Sequence, residues 1–188
     1  MDGYATSAVR ELLDRQAILA CLDRYSRGLD RKDLDLLRSA YHPDAVDHHG
    51  ALGDYTPDTL ISDWLLRDAD RMFSQHLIVN SSIDIDPGGD VAHGETYFQL
   101  VVGLEPAAAG EAQQPRLTLS GGRYIDRFER RAGEWRIARR VLISEYKAAL
   151  DPIDRPQHLS WARRDRDDPS YDRPLEGPPP GPRLRGNA

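Results

Sequence analysis

Long hydrophobic runs and cysteines are both scarce in this sequence of 188 residues. No stretch approaches the roughly 20 consecutive apolar residues that a membrane-spanning helix needs, so we expect a soluble protein without a membrane partner. Cys21 is the single cysteine, which leaves no partner for an internal disulfide and no thiolate cage for a metal. Because Cys21 falls in an apolar stripe, we expect it to fill space in the core.

Clusters of positive charge are also missing. The chain has 25 lysines and arginines against 31 aspartates and glutamates, a net charge of -6, and its arginines are interleaved with acidic residues. This pattern argues against a nucleic-acid partner. Glycine-rich loops with the spacing of nucleotide sites are absent as well, and we expect no cofactor. The first ten residues contain no basic segment followed by an apolar one, which favours a cytoplasmic protein.

The composition changes sharply near residue 150. Residues 1–150 have the size of one domain. Eight of the thirteen prolines follow Asp151, and they are mixed with alternating charges, so residues 151–188 cannot build a core of their own. We expect this segment to be an arm that is partly extended over the domain or over a neighbouring subunit, with Trp161 and Tyr171 available for docking.

Apolar periodicity predicts three helices followed by a sheet. Gly28 is expected to end the first helix and Asp30 to begin the second, with Asp33 three residues later, while Thr56 and Pro57 start the third. Two hairpins follow, with strands at residues 77–86, 91–104, 116–130 and 134–146. Gly121 and Gly122 lie inside a strand, where glycine typically marks a bulge. The sequence therefore predicts an α+β fold with a curved, mainly antiparallel sheet.

Three residues of this pattern could form a proton-transfer site. Tyr25 and Asp30 lie near the end of the first predicted helix, and His76 heads a later strand. A carboxylate that orients an imidazole makes a general base near neutral pH, and a neighbouring phenol can donate a hydrogen bond to a developing oxyanion. This combination indicates elimination or isomerisation without a metal or cofactor.

Structural roles compete with these assignments. Asp30 followed by Asp33 is an ordinary N-cap pattern. A lone histidine at the start of a strand is more often a hydrogen-bonded structural residue than a base. Tyr25 continues an apolar stripe and could belong to the core with its hydroxyl at the rim.

Several segments together resemble the SnoaL-like branch of the nuclear transport factor 2-like superfamily, over about residues 8–148. They are Tyr-Ser-Arg-Gly-Leu-Asp at 25–30, Tyr-His-Pro-Asp at 41–44, His76 before a strand, and the hairpin from Gly121 to the Gly-Glu-Trp at 133–135. The likeness is greatest to bile acid 7α-dehydratase and hexachlorocyclohexane dehydrochlorinase.

The resemblance implies a cone-shaped α+β barrel, a deep hydrophobic pocket and a homotrimer or homodimer. It also implies that Asp30 and His76 form an Asp-His pair and that Arg140 faces the pocket. Tyr25 matches a tyrosine of the bile acid dehydratase where the dehydrochlorinase has lysine, which favours hydroxyl over halide as the leaving group. From the residues alone, Arg140 could instead pair with Asp126 or Glu145 across strands.

Five side chains are predicted to line the pocket and contact the substrate. They are Trp64, Met72, Phe98, Tyr124 and Leu142. Four polar residues near the first strand suggest a metal at first sight, namely His42, Asp47, His48 and His49. Strand alternation leaves only Asp47 and His49 on one side, however, and two ligands do not make a metal site.

The leading hypothesis is a cofactor-independent dehydratase that acts on a bulky hydrophobic alcohol such as a steroid or polycyclic ketone. A steroid or polyketide isomerase or cyclase would use the same base to return the proton at another carbon. A non-catalytic module that binds small molecules is the third possibility, because folds of this kind host many functions.

Overall fold

The computed structural model describes residues 2–67, 71–104, 116–150 and 163–171. In these ranges the chain forms three helices and six strands: α1 (Asp2–Arg31), α2 (Leu34–Ser39), β1 (Tyr41–His48), β2 (Asp54–Tyr55), α3 (Pro57–Arg67), β3 (Arg71–Ile85), β4 (Val91–Leu104), β5 (Arg116–Arg131) and β6 (Glu134–Leu150). None of the helices in this part of the chain combines the length and hydrophobicity that a bilayer span requires.

The prediction that Gly28 ends the first helix is wrong, since α1 continues to Arg31. Lys32 then adopts a left-handed conformation with φ of 52°, and the amide of Asp33 donates to the carbonyl of Gly28 at 2.9 Å. These are features of a common helix C-terminus. Glycine is needed at position 28 for another reason, because a Cβ there would lie 2.7 Å from the backbone nitrogen of Leu37.

The six strands form one mixed sheet in the order β2-β1-β6-β5-β4-β3. Strand β1 runs parallel to β6, and every other neighbouring pair is antiparallel. The register of β5 against β6 shifts between Gly121 and Gly122, which confirms the predicted bulge. A Cβ on Gly122 would lie 1.9 Å from the carbonyl oxygen of Ile143, so the close approach of the two strands requires glycine. Three helices on a curved, unclosed sheet confirm the predicted α+β fold.

The core lies between α1 and the sheet. Its fully buried members include Ile18, Cys21 and Leu22 from the helix and Phe128 and Ile137 from the sheet. Burying an aliphatic or aromatic side chain of this size stabilises the fold by about 1.5–3 kcal/mol. The thiol of Cys21 donates to the carbonyl of Ala40 at 3.1 Å, which confirms that Cys21 is a core residue.

The arm touches the domain where α1 ends. Arg164 donates to the carbonyls of Leu29 at 3.1 Å and Asp30 at 3.3 Å, so its guanidinium adds hydrogen bonds to carbonyls in the last turn of the helix. The hydroxyl of Tyr171 donates to Asp33 at 2.8 Å. Trp161 and the rest of the predicted arm outside 163–171 lie beyond the described residues.

Candidate active site

Asp30 and His76 meet at the junction of α1 and β3. Oδ1 of Asp30 accepts a hydrogen bond from Nδ1 of His76 at 2.6 Å, and Oδ2 accepts one from the backbone amide of His76 at 2.9 Å. The hydroxyl of Ser74 also donates to Oδ1 of Asp30, at 2.8 Å. Two contacts to the same residue fix both the rotation of the imidazole and the tautomer with its proton on Nδ1.

The N-cap alternative for Asp30 is wrong, because Asp33 occupies that position. Asp33 precedes α2 and accepts a hydrogen bond from the amide of Leu36 at 3.2 Å. Asp30 lies one turn earlier, inside α1, with its side chain turned toward β3 and about 15% exposed. Its carboxylate is therefore committed to His76 rather than to helix capping.

His76 lies inside β3 rather than at its start, because the strand begins at Arg71. Residues two apart in a strand share a face, so Ser74 and His76 both reach the end of α1. The sequence reasoning missed Ser74, although the alternation of β3 with His76 as reference would have identified it. The side chain of His76 is only 3% exposed, so the imidazole is almost completely buried.

A chain of aromatic rings extends from the imidazole. The ring of Tyr25 lies edge-on to His76 with centroids 6.3 Å apart, and edge-on to Tyr124 at 5.5 Å. Tyr124 in turn stacks on Phe98 at 4.4 Å. Burial raises the pKa of Tyr25 to about 12, against the opposing effect of the nearby Arg140 charge. Tyr25 is therefore a neutral hydrogen-bond donor throughout the physiological pH range.

Arg140 does not line the cavity, contrary to what the resemblance implied. It is fully buried and forms a two-point hydrogen bond with Asp126, both distances being 2.7 Å. Burial opposes its charged form, but the Asp126 carboxylate raises the pKa of Arg140 well above its usual range. The guanidinium lies 4.2 Å from the ring centroid of Tyr25 and 3.9 Å from that of Tyr124. The guanidinium of Arg140 thus forms cation–π contacts with both phenol rings.

A cavity of about 420 Å³ opens in front of these groups. His76, Tyr25 and three predicted wall residues line it, the latter being Phe98, Tyr124 and Leu142. Met72 is not among the described residues that line this cavity, where β3 presents Arg71 instead. The side chain of Trp64 lies outside the described part of the structure.

The sequence reasoning missed several lining residues. Leu52 and Tyr55 come from the segment between β1 and α3, Leu60 comes from α3, and Lys147 comes from the far end of β6. No strand or helix period orients the short segment that carries Leu52 and Tyr55, so only the fold brings these two side chains to the cavity. The result is a hollow with mostly apolar walls and a few polar groups, as is typical of small-molecule sites.

Three of the four polar residues, His42, Asp47 and His48, lie in β1, and His49 follows it. His42 bonds the carbonyl of Glu129 at 2.9 Å, and His48 pairs with Asp54. Among the described residues, no group of three or more histidines, cysteines or acids is arranged to hold a metal ion.

Asp47 and His49 are the two that stay together. Nδ1 of His49 lies 2.6 Å from Oδ1 of Asp47. The imidazole of His49 lines the same cavity as His76.

Sequence comparison identifies related proteins over most of the chain. The family model for the SnoaL-like domain matches residues 10–141. An uncharacterized protein of Mycobacterium tuberculosis is 31% identical over 137 residues, which cover 71% of this chain and 87% of that protein. A protein of Mycobacterium bovis matches equally well.

Solved structures share the fold. Hexachlorocyclohexane dehydrochlorinase LinA-type3 from Novosphingobium barchaimii superposes with a TM-score of 0.64 at 20% identity, covering 79% of this chain and 97% of the enzyme. A scytalone dehydratase-like protein from Novosphingobium aromaticivorans gives 0.62 at 18% identity, covering 79% and 98%. At this level of identity the comparison establishes a common fold.

Proposed function

The chain belongs to the family of SnoaL-like domains, and from that premise we propose that it is a cofactor-independent lyase of the dehydratase type. Its substrate would be a bulky hydrophobic alcohol such as a steroid or polycyclic ketone. Two structural neighbours are named for a dehydrochlorinase and a dehydratase, both of which catalyse eliminations. These names support the class of reaction, and the site of this chain supports the mechanism.

The hydrogen bond between Asp30 and His76 carries the proposal. An imidazole whose Nδ1 is held by a carboxylate takes up a proton through Nε2, and the carboxylate stabilises the imidazolium that results. Both partners are in place at 2.6 Å, and the imidazole lines the cavity. A histidine with a purely structural role would not need to face an apolar hollow of this size.

The reaction follows from this geometry. His76 removes a proton from a carbon next to the substrate carbonyl, and the electrons of the C–H bond move onto the carbonyl oxygen. Tyr25 stabilises the developing negative charge by donating a hydrogen bond to that oxygen. The electrons then return to form the carbon–carbon double bond as the C–O bond to the leaving hydroxyl breaks. The substrate thus loses the elements of water, one proton to His76 and its hydroxyl group as the leaving group.

Arg140 contributes to this step from a distance. Its charge lies behind the rings of Tyr25 and Tyr124 and is shielded from solvent, where electrostatic effects are stronger than in water. We assign it a positioning role, since it holds the phenols and favours negative charge near the Tyr25 hydroxyl.

A simple β-hydroxy ketone tests the proposal. 4-Hydroxy-4-phenylbutan-2-one loses water to give a conjugated enone, which is followed by its ultraviolet absorbance. We expect His76→Gln to lower kcat/KM by about 10²-fold to 10⁴-fold, because a positioned general base contributes that much. Thermal unfolding should show that the variant is folded.

The matched control is His93→Gln, whose side chain on β4 is 60% exposed. It should leave the rate unchanged. Equal rates for the wild type and His76→Gln would refute the base assignment. A product of unchanged mass from a β,γ-unsaturated ketone, without elimination from the hydroxy ketone, would favour the isomerase alternative.

A further inference from the structure

We propose that His49, held by Asp47, is a second catalytic residue of the same cavity and acts as the acid that protonates the departing hydroxyl. This inference rests on the proposed dehydration, and it assigns the one proton that His76 and Tyr25 leave unassigned. The cavity would then carry two Asp-His pairs with opposite tasks, one accepting a proton from carbon and the other giving a proton to oxygen.

His49 is paired with a buried carboxylate. Nδ1 lies 2.6 Å from Oδ1 of Asp47, an ion-pair distance without the alignment of a hydrogen bond, so Nε2 is the nitrogen that remains for a ligand. The side chain is about 12% exposed and contributes to the cavity wall. Its ring packs edge-on against Tyr55 with centroids 5.8 Å apart, which restricts its rotation. His49 is therefore buried enough to be positioned and open enough to exchange protons with solvent.

Asp47 has the surroundings of a permanently ionised group. Burial favours its neutral form, but His49, the charge of Arg140 and the hydroxyl of Tyr41 together hold its pKa below the usual value. The carboxylate is only 1% exposed, so its charge acts on the neighbouring imidazole with little screening.

The chemistry of hydroxide departure calls for such an acid. Hydroxide is a poor leaving group unless it receives a proton as the C–O bond breaks. Tyr25 can donate a hydrogen bond, yet a phenol whose pKa is raised to about 12 gives up its proton reluctantly. Imidazoles as a class exchange protons near neutral pH. In the proposed step His49 transfers its Nε2 proton to the oxygen, which leaves as water. Solvent then protonates His49 again, and His76 releases to solvent the proton that it took from carbon.

Two probes that differ only in the leaving group separate this role from that of His76. 4-Hydroxy-4-phenylbutan-2-one must expel hydroxide, whereas its acetate ester expels a carboxylate that leaves without a proton. Both give the same enone, so one absorbance assay serves both.

We expect His49→Gln to lower kcat for the hydroxy ketone by about 10²-fold or more. We expect it to change kcat for the acetate by less than about threefold. His76→Gln should lower both rates, because both substrates must lose the same proton from carbon.

Controls exclude a general loss of structure. His48→Gln changes the preceding residue, a histidine that also pairs with an aspartate but does not line the cavity, and it should leave both rates unchanged. Asp47→Asn should reproduce the selective loss on the hydroxy ketone in weaker form. Circular dichroism and thermal unfolding of each variant confirm that it is folded.

The possible failures are distinct. Equal losses on both probes, or no loss on either, in a folded His49→Gln protein would overturn the assignment of His49 while leaving His76 in place. Loss of neither activity in His76→Gln, or no elimination by the wild type above the uncatalysed rate, would overturn the proposed function itself.

Discussion

Replacing Asp30 by asparagine changes the charge of the carboxylate that holds His76 while keeping its size. In the native structure one oxygen accepts from Nδ1 of His76 at 2.6 Å and from Ser74 at 2.8 Å, and the other accepts from the backbone amide of His76 at 2.9 Å. Asparagine has only one oxygen and one NH₂ group for the same two positions.

The hydrogen-bond pattern decides how asparagine sits. The backbone amide of His76 is an obligatory donor, so the side-chain oxygen must stay opposite it. The NH₂ group then faces the imidazole, and Nδ1 must become an acceptor. The proton of the imidazole moves to Nε2, where it blocks the nitrogen that would otherwise take a proton from the substrate. The hydroxyl of Ser74 can rotate and accept from the NH₂ group, so the rest of the network survives.

The expected result is a large kinetic effect with a modest structural one. Activity on 4-hydroxy-4-phenylbutan-2-one should fall by about 10²-fold to 10⁴-fold, the usual contribution of general base catalysis. The free energy of unfolding should fall by about 1.5–3 kcal/mol, the value of one hydrogen bond to a charged group. Urea denaturation followed by circular dichroism measures the second quantity.

Asp23→Asn is the matched control, because Asp23 lies two turns earlier on α1 with its side chain exposed. It should change neither quantity appreciably. If Asp30→Asn retained activity within about threefold of the wild type while folded, the tautomer argument would be refuted and His76 would not depend on its carboxylate.

Two further predictions concern buried groups outside the cavity. Burial raises the pKa of the Cys21 thiol to about 11, so at pH 8 roughly one molecule in 10³ carries the thiolate, and labelling by a thiol reagent in the native state should be slow until urea unfolds the protein. Fast labelling without urea would contradict the buried position. Asp126→Ala leaves the Arg140 charge buried without its carboxylate and should destabilise the protein by about 3–5 kcal/mol, measured by urea denaturation against the exposed control Asp35→Ala. A loss below about 1 kcal/mol would show that the guanidinium finds other partners.

Local patterns made the sheet predictable. Alternating apolar residues and turn-forming dipeptides define both hairpins, and the structure places β4 at the residues predicted. The contact between Asp30 and His76 spans 46 positions, which no local pattern can bridge. It was anticipated through the family resemblance, because a shared fold fixes which distant elements meet.

The failures came where packing overrides local preference. Gly28 is typical of a residue that ends a helix. Glycine is required at this position, however, because Leu37 of α2 packs against its backbone. Arg140 shares its face of β6 with apolar residues. The sequence alone could not decide whether its side chain enters the cavity or pairs with Asp126. Its charge is completely buried, and a buried guanidinium is stable only when a carboxylate accepts two hydrogen bonds from it.

The shape of the cavity depends on the curvature of the sheet. Strand β1, which leads to His49, is separated from β3, which carries His76, by β6, β5 and β4 in the strand order. Four steps of about 4.8 Å would hold the two strands roughly 19 Å apart in a flat sheet. Both histidines nevertheless line one cavity of about 420 Å³, so the sheet must curl between them. The bulge at Gly121 and Gly122 lies midway along this path, where β5 meets β6. A bulge increases local twist and bend, so this glycine pair helps to bring the proposed base and the proposed acid to the same substrate.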